Sequence, residues 1–390
     1  MKQFSRFSIF VICTFLYSCK KNTDELKATY LPAVSTNAVS SIASNTATAA
    51  GNISNEGGAP VTARGVIWST GTSGSTTTLD GTGTGSFTSN LTGLAQNTVY
   101  YVKAYATNSN GTAYGNSVSF TTELTAPGVP GENDPIFPGN PTNAMPAIAF
   151  PENYLKDNIY YKMAYSRSRG TSVWVAWHLQ REDIGTASRQ DDYRADVNIP
   201  IGWYQVQHTS YTGSGFDRGH NCPSGDRTST IAANSSTFLM TNMIPQASTL
   251  NGGPWAGLED FVRNTLVGTN NEAYIVMGNY GQGGYNATGS LFNTIDAGNV
   301  TVPAKIWKVV LIMPKGTNDL TRINSSTVVL TVNMPNDNRL YTSGGSTLWR
   351  NYLTTVSNLE SEANSYGVPL NLFQNVADSV RPVLKARLYQ

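Results

Sequence analysis

The chain has 390 residues, 39% apolar and only 13% charged, with a net charge of +1. Its 20 Tyr, 13 Phe and 7 Trp supply a sizeable core, and so little charge excludes disorder driven by charge repulsion. Near-neutrality excludes a global field that gathers nucleic acid or an anionic membrane, so recognition of any polyanion falls to a few placed cations.

In chain order, Lys2 and Arg6 precede an apolar run from Phe7 to Tyr17, followed by Ser18-Cys19-Lys20-Lys21. A basic start, a short apolar core and then small or polar residues describe a secretory signal over residues 1–18, below the roughly 20 apolar residues of a membrane span. Leu16-Tyr-Ser-Cys19 resembles the lipobox of bacterial lipoproteins. That resemblance implies acylation of Cys19 and a protein exported and lipid-anchored in the cell envelope, at the outer membrane or cell surface. Ordinary cleavage nearby is the alternative. Only Cys13, Cys19 and Cys222 occur, so a mature acylated chain has one free thiol and no intrachain disulfide.

Residues 33–122 are rich in Thr, Ser, Asn and Gly, with period-two runs at Val61–Trp68 and Val99–Ala106, the pattern of an all-β sandwich. The stretch Leu91 to Asn108 resembles the late strands of a fibronectin type III module, with Tyr100 placed as its tyrosine corner. Such a module reads as a spacer, with glycan or protein binding as the alternative. Six prolines between Pro127 and Pro146 predict an extended, semi-rigid linker over 123–149. Residues 150–390 form a second, α+β unit. Val173–Leu179, Ala273–Met277, Ile306–Met313 and Val328–Val332 predict buried strands. Helical spacing appears at Trp255, Leu258, Val262 and Leu266, and again from Trp349 to Leu359.

Histidine is scarce, and only His178, His208 and His220 are present. His178 lies inside an alternating strand and His208 follows another, so both read as structural. His220 sits in Gly213-Ser-Gly-Phe-Asp-Arg-Gly-His-Asn-Cys-Pro-Ser-Gly-Asp-Arg227, beside cations that disfavour its protonated form and suit it to general-base work near neutral pH. Alone, this patch is equally a glycine-rich turn with a surface histidine.

Downstream spacing adds weight. Asp217-Arg-Gly-His220, Thr241-Asn-Met-Ile-Pro-Gln246, Leu250-Asn-Gly-Gly-Pro-Trp255 and Leu258-Glu259 follow in order. Together they resemble the DNA/RNA non-specific endonuclease family of the ββα-metal superfamily (endonuclease G-like), and the resemblance reaches the tail at Val368–Phe373. It implies a multidomain chain, an N-terminal sandwich followed by a ββα-metal nuclease over 150–390. The implied activity is metal-dependent phosphodiester hydrolysis of DNA and RNA without sequence specificity, leaving 5′-phosphates.

In that reading His220 is the general base and Asn251 the one protein ligand of Mg²⁺, or Mn²⁺, ions that keep several waters. Asn251 also reads as a helix N-cap. Glu259 orients metal-bound water, and Arg263 follows four residues later on the same helix face. Arg189 is the first choice for a transition-state arginine, with Arg194 behind it. Arg218 contacts phosphate or braces the hairpin through Asp217. Asn242 supports the hairpin. Cys222 replaces the family's small residue and reads as packing, since no partner set for a nucleophile surrounds it. A homodimer is compatible with this reading. The competing reading is a catalytically silent surface adhesion or carbohydrate-binding lipoprotein, which the retention of His220, Asn251 and Glu259 argues against.

Overall fold

The computed structural model describes residues 29–71, 75–123, 131–341 and 345–390, so the signal segment and Cys19 lie outside the described residues. Strands β1 (Ala33–Thr36), β2 (Thr46–Asn55), β3 (Ala63–Ser69), β4 (Thr76–Thr77), β5 (Gly85–Thr92), β6 (Val99–Asn108), β7 (Gly111–Tyr114) and β8 (Val118–Thr121) come first. They form two antiparallel sheets, β1-β2-β5 and β4-β3-β6-β7, with β8 also paired to β6. Alternation decides what is inside: Ala47, Ala49 and Ile53 from β2 meet Val102, Ala104 and Ala106 from β6 in one core. The Tyr100 hydroxyl accepts a hydrogen bond from the Ala95 N–H at 2.9 Å, tying the start of β6 to the preceding loop.

The second unit is built on a six-stranded antiparallel sheet. In chain order its strands are β9 (Tyr154–Asp157), β10 (Lys162–Ser166), β11 (Thr171–Leu179), β14 (Asn271–Tyr280), β19 (Lys305–Pro314) and β20 (Val328–Pro335). Between β11 and β14 the chain forms a separate hairpin, β12 (Asp217–His220) with β13 (Met243–Gln246). Two small ribbons, β15 (Gly284–Tyr285) with β16 (Leu291–Phe292) and β17 (Thr294–Ile295) with β18 (Val300–Thr301), precede β19. The sheet order is β20-β19-β14-β11-β10-β9. All four predicted strands are found, and both faces of this sheet are covered, which explains their unbroken apolar runs. On one face Val175, Trp177, Ile275 and Val310 pack with Leu250, Trp255 and Leu258. On the other, Trp174, Tyr274, Trp307 and Val309 pack with Val356, Leu359 and Phe373.

Two expectations need correction. Residues 131–149 are not a free linker: Ile136, Phe137 and Ala144 are buried in the second face's core, and Phe137 stacks on Tyr274 at 5.8 Å. Proline rigidity here lowers the cost of holding an irregular segment against the sheet. The helix expected from Trp349 to Leu359 is two, a 3₁₀ segment Gly345–Tyr352 and an α-helix Val356–Ser365. Thr355 separates them, because its side chain accepts from the Asn358 N–H and starts a new helix.

Candidate active site

The site stands on the face of the sheet that carries the β12–β13 hairpin. His220 ends β12 opposite Met243. Gly219 precedes it because the strands close tightly there: a Cβ at this position would lie 2.2 Å from Gln246 Oε1. The loop after His220 is clamped by Asn242, whose side chain accepts from the Cys222 N–H and donates to the Cys222 and Thr237 carbonyls. Asn242 is fully buried and does not line the cavity that His220 borders, so its part is support. Cys222 is buried in the apolar core, and burial pushes its thiol up to about 12, which leaves it unreactive.

A run of helical turns, Ser248–Leu250, Asn251–Trp255, Ala256–Asp260 and Phe261–Val267, brings the other groups alongside. It starts before Pro254, and Gly253 with φ −110°, ψ −109° makes the break that admits this proline. Asn251 therefore lies inside the run with helical φ/ψ rather than capping it. Its amide donates to Asp217 Oδ2 at 2.9 Å, and Asp217 Oδ1 accepts from Ser248 Oγ at 2.8 Å. With the Asn251 nitrogen thus engaged, its carbonyl oxygen is left for a ligand.

His220, Asn251, Glu259, Arg189, Arg218, Arg263 and Tyr193 line one open cavity of 540 Å³. Arg189 is held by Asp191, by Ser224 Oγ at 2.7 Å and by the Tyr193 hydroxyl at 3.0 Å, with its guanidinium over Phe238. Arg194 instead pairs with Asp192 at 2.6 Å and is not in the cavity lining, so the first choice of arginine is the one placed there. Arg218 does not brace the hairpin through Asp217; it lies over the Tyr193 ring at 4.1 Å. The His220 imidazole packs edge-on against Phe238 and Tyr193. Burial, then the Arg189 and Arg218 charges, pull its pKa down to about 3, so the ring is neutral at physiological pH. Its Nε2 is shut away from solvent without a partner, leaving Nδ1 as the nitrogen that meets the cavity.

Below the cavity lies a network that sequence reading missed. Lys308, on β19, is 1% exposed, contacts the Trp255 ring at 4.5 Å and pairs with Glu259 at 3.2 Å. Arg263 Nε donates to Asp226 Oδ1 at 2.7 Å, and Trp177 Nε1 donates to Asp226 Oδ2 at 2.9 Å. Burial raises the Glu259 pKa and Lys308 opposes that rise. A lone lysine inside Ile306-Trp-Lys-Val-Val was the available signal, since buried lysines are found paired. Lys308→Met is expected to destabilise the fold by about 3 kcal/mol by leaving Glu259 buried and uncompensated. Denaturant midpoints check this, and Glu259→Gln added to it should recover most of the loss; a midpoint unchanged in the single variant contradicts the pairing.

The other histidines lie elsewhere. His208 is exposed, in the turn His208–Tyr211. His178, Glu272 and Asp319 offer ligand atoms within 4.8 Å of one another, a possible cation site. It is on the opposite face of the sheet, since His178 packs against Tyr274 while its neighbour Trp177 points to Asp226. Arg322 already pairs with both of its carboxylates.

Comparison with known proteins accords with this geometry. The family model for DNA/RNA non-specific endonucleases matches residues 140–379. A nuclease of Nostoc sp. is 41% identical over 242 residues, spanning 62% of this chain and 82% of that protein. The mitochondrial nuclease EXOG of Xenopus laevis is 30% identical over 203 residues, 49% of this chain and 52% of its own length. Bovine mitochondrial endonuclease G is 29% identical over 197 residues, 49% of this chain and 64% of that protein. A chain in the solved EndoG/EndoGI complex is similar at a TM-score of 0.49 and 21% identity, over 63% of this chain and 92% of that one. With its second unit matched almost end to end, the chain belongs to the DNA/RNA non-specific endonuclease family and is a nuclease.

Proposed function

We propose that this nuclease hydrolyses phosphodiester bonds in DNA and RNA without sequence preference, with His220 as general base and Asn251 as the ligand of one divalent cation. The observation that supports it most is a neutral imidazole in a cavity that also presents three arginines and a free amide carbonyl. His220 Nδ1 takes a proton from the attacking water as its oxygen bonds to phosphorus. The bond to the 3′ oxygen breaks, that oxygen takes a proton from water, and the phosphate stays on the 5′ oxygen of the downstream fragment. Arg189, fixed by three partners, faces the charge that grows on the non-bridging oxygens, and Arg218 holds the backbone. These contacts are to phosphate, which carries no sequence information.

The donor set fits a divalent cation of the kind this family depends on: one neutral oxygen, a nearby carboxylate in Glu259 and open space suit a hard ion that keeps its waters, Mg²⁺ or Mn²⁺. Bound there, the cation supplies charge neutralisation at the phosphate and the leaving oxygen. Asp217 orients Asn251, and Glu259 accepts hydrogen bonds from water.

For the rest of the chain we infer a lipoprotein signal at 1–18, acylation of Cys19, and a cell-envelope location, supported by Lys2, Arg6 and the apolar run to Tyr17. The module at 33–122 we read as fibronectin type III-like and a spacer, supported by its two sheets and the Tyr100 bond to Ala95. The silent-adhesion reading requires a damaged site, whereas His220, Asn251 and Glu259 share one cavity.

Digestion of supercoiled plasmid and of RNA by residues 20–390, with Mg²⁺ and with EDTA, tests the function. Both substrates should be degraded with Mg²⁺ and spared with EDTA; a clean protein that cuts neither across several divalent metals ends the reading. The pH profile gives a further check. Because the His220 pKa is lowered from 6.5 to about 3, the base form persists as pH falls. The acid limb of kcat/KM is therefore expected below about pH 5, and a limb near the ordinary histidine value contradicts the assignment.

A further inference from the structure

Beside the cavity lies a second compartment of 330 Å³, lined by Tyr193, His208, Tyr211, Thr212, Phe216, Asp217, Arg218 and Asn251. Tyr193, Arg218 and Asn251 line both compartments. Arg218 stands between them with its guanidinium over the Tyr193 ring, and among the described residues no carboxylate pairs with it. Asp217 is the one acid in this lining, and both of its oxygens are engaged, by Ser248 and Asn251. Tyr211 is 5% exposed with its hydroxyl shut away from the compartment, so it contributes an aromatic wall rather than a donor. The donors are unspent. Thr212 and the imidazole of His208 are exposed at the rim. A compartment rich in donors and aromatic walls, continuous with a site that holds a phosphodiester, suits the next segment of an anionic strand.

We propose that this compartment binds the phosphodiester adjacent to the scissile one on the same strand, with Arg218 between the two phosphates and His208 and Thr212 as further donors. The inference rests on the proposed reading of the first cavity as the phosphate site.

The test measures binding of a dinucleotide, which has one phosphodiester, and a trinucleotide, which has two, to the full mature chain in EDTA, so that no turnover intervenes. The trinucleotide should bind about tenfold more tightly, the scale of a charge-assisted hydrogen bond. His208 is exposed, so charge changes there do not threaten folding. His208→Glu should abolish the gain, and His208→Lys should enlarge it and steepen the log–log salt dependence by about 0.7, one extra phosphate contact on a single strand. Equal binding of the two ligands, or a gain indifferent to both substitutions, overturns the inference. A His220→Ala protein that still cuts nucleic acid with Mg²⁺ would instead overturn the catalytic reading and leave a measured gain standing. Normal cleavage with no gain does the reverse.

Discussion

His220→Ala is expected to lower kcat on plasmid DNA and on RNA by about a thousandfold, within the range that a positioned general base supplies. The imidazole sits between Phe238, Tyr193 and two arginines, and none of these can accept a proton at neutral pH in its place. Glu259 lines the cavity too, but it is held by Lys308. KM should change little, because the proposed phosphate contacts belong to Arg189 and Arg218. Folding should hold as well: His220 Nε2 has no hydrogen bond to lose, and the ring borders the open cavity rather than the apolar core. Added imidazole should restore part of the rate, since the truncated side chain leaves room beside the cavity. Steady-state rates with matched melting curves decide the matter. A variant within tenfold of wild type, equally folded, ends the general-base assignment.

Much of this architecture was legible in the sequence, and the parts that were not share a physical cause. Strands β11, β14, β19 and β20 announced themselves because a sheet covered on both faces draws apolar residues from both sides of each strand. The cavity residues were legible because they cluster: β12 carries Asp217, Arg218 and His220, and one helical stretch carries Asn251, Glu259 and Arg263. Arg189 lies apart from both blocks, and its choice over Arg194 depended on the path of a loop. What stayed hidden is tertiary. Lys308 joins Glu259 across 49 residues of chain, and Asp226 joins Arg263 across 37. Residues 131–149 misled because composition records stiffness but not what a stiff segment packs against. Asn251 misled in its local role, since Asn before Gly-Gly-Pro reads as a cap until the helix is seen to begin at Ser248.

That placement of Asn251 carries the second large effect. Were it a cap, alanine would cost about 1 kcal/mol of stability and leave metal use alone. As built, Asn251 makes one side-chain hydrogen bond, to Asp217, and its carbonyl faces the cavity. Asn251→Ala is therefore expected to raise the Mg²⁺ concentration for half-maximal activity by at least about a hundredfold and to cut the rate at low millimolar Mg²⁺ by a similar factor. Excess metal should recover part of the rate. Asp217→Ala probes the same contact from outside: Asn251 and Ser248 both lose the carboxylate that accepts from them. That change should weaken metal binding by about 10–100-fold, the usual effect of disturbing the group that orients a ligand. Calorimetric titration of Mn²⁺ into each protein gives a readout independent of turnover. If both variants bind the ion as wild type does, Asn251 is a structural residue and the cation is held elsewhere. The carboxylates of Glu272 and Asp319 with His178 would then be the next donors to test, on the far face of the sheet. The two sites also respond differently to substitution at Arg322. Removing that guanidinium would free the far carboxylates for a cation and leave the Asn251 titration untouched.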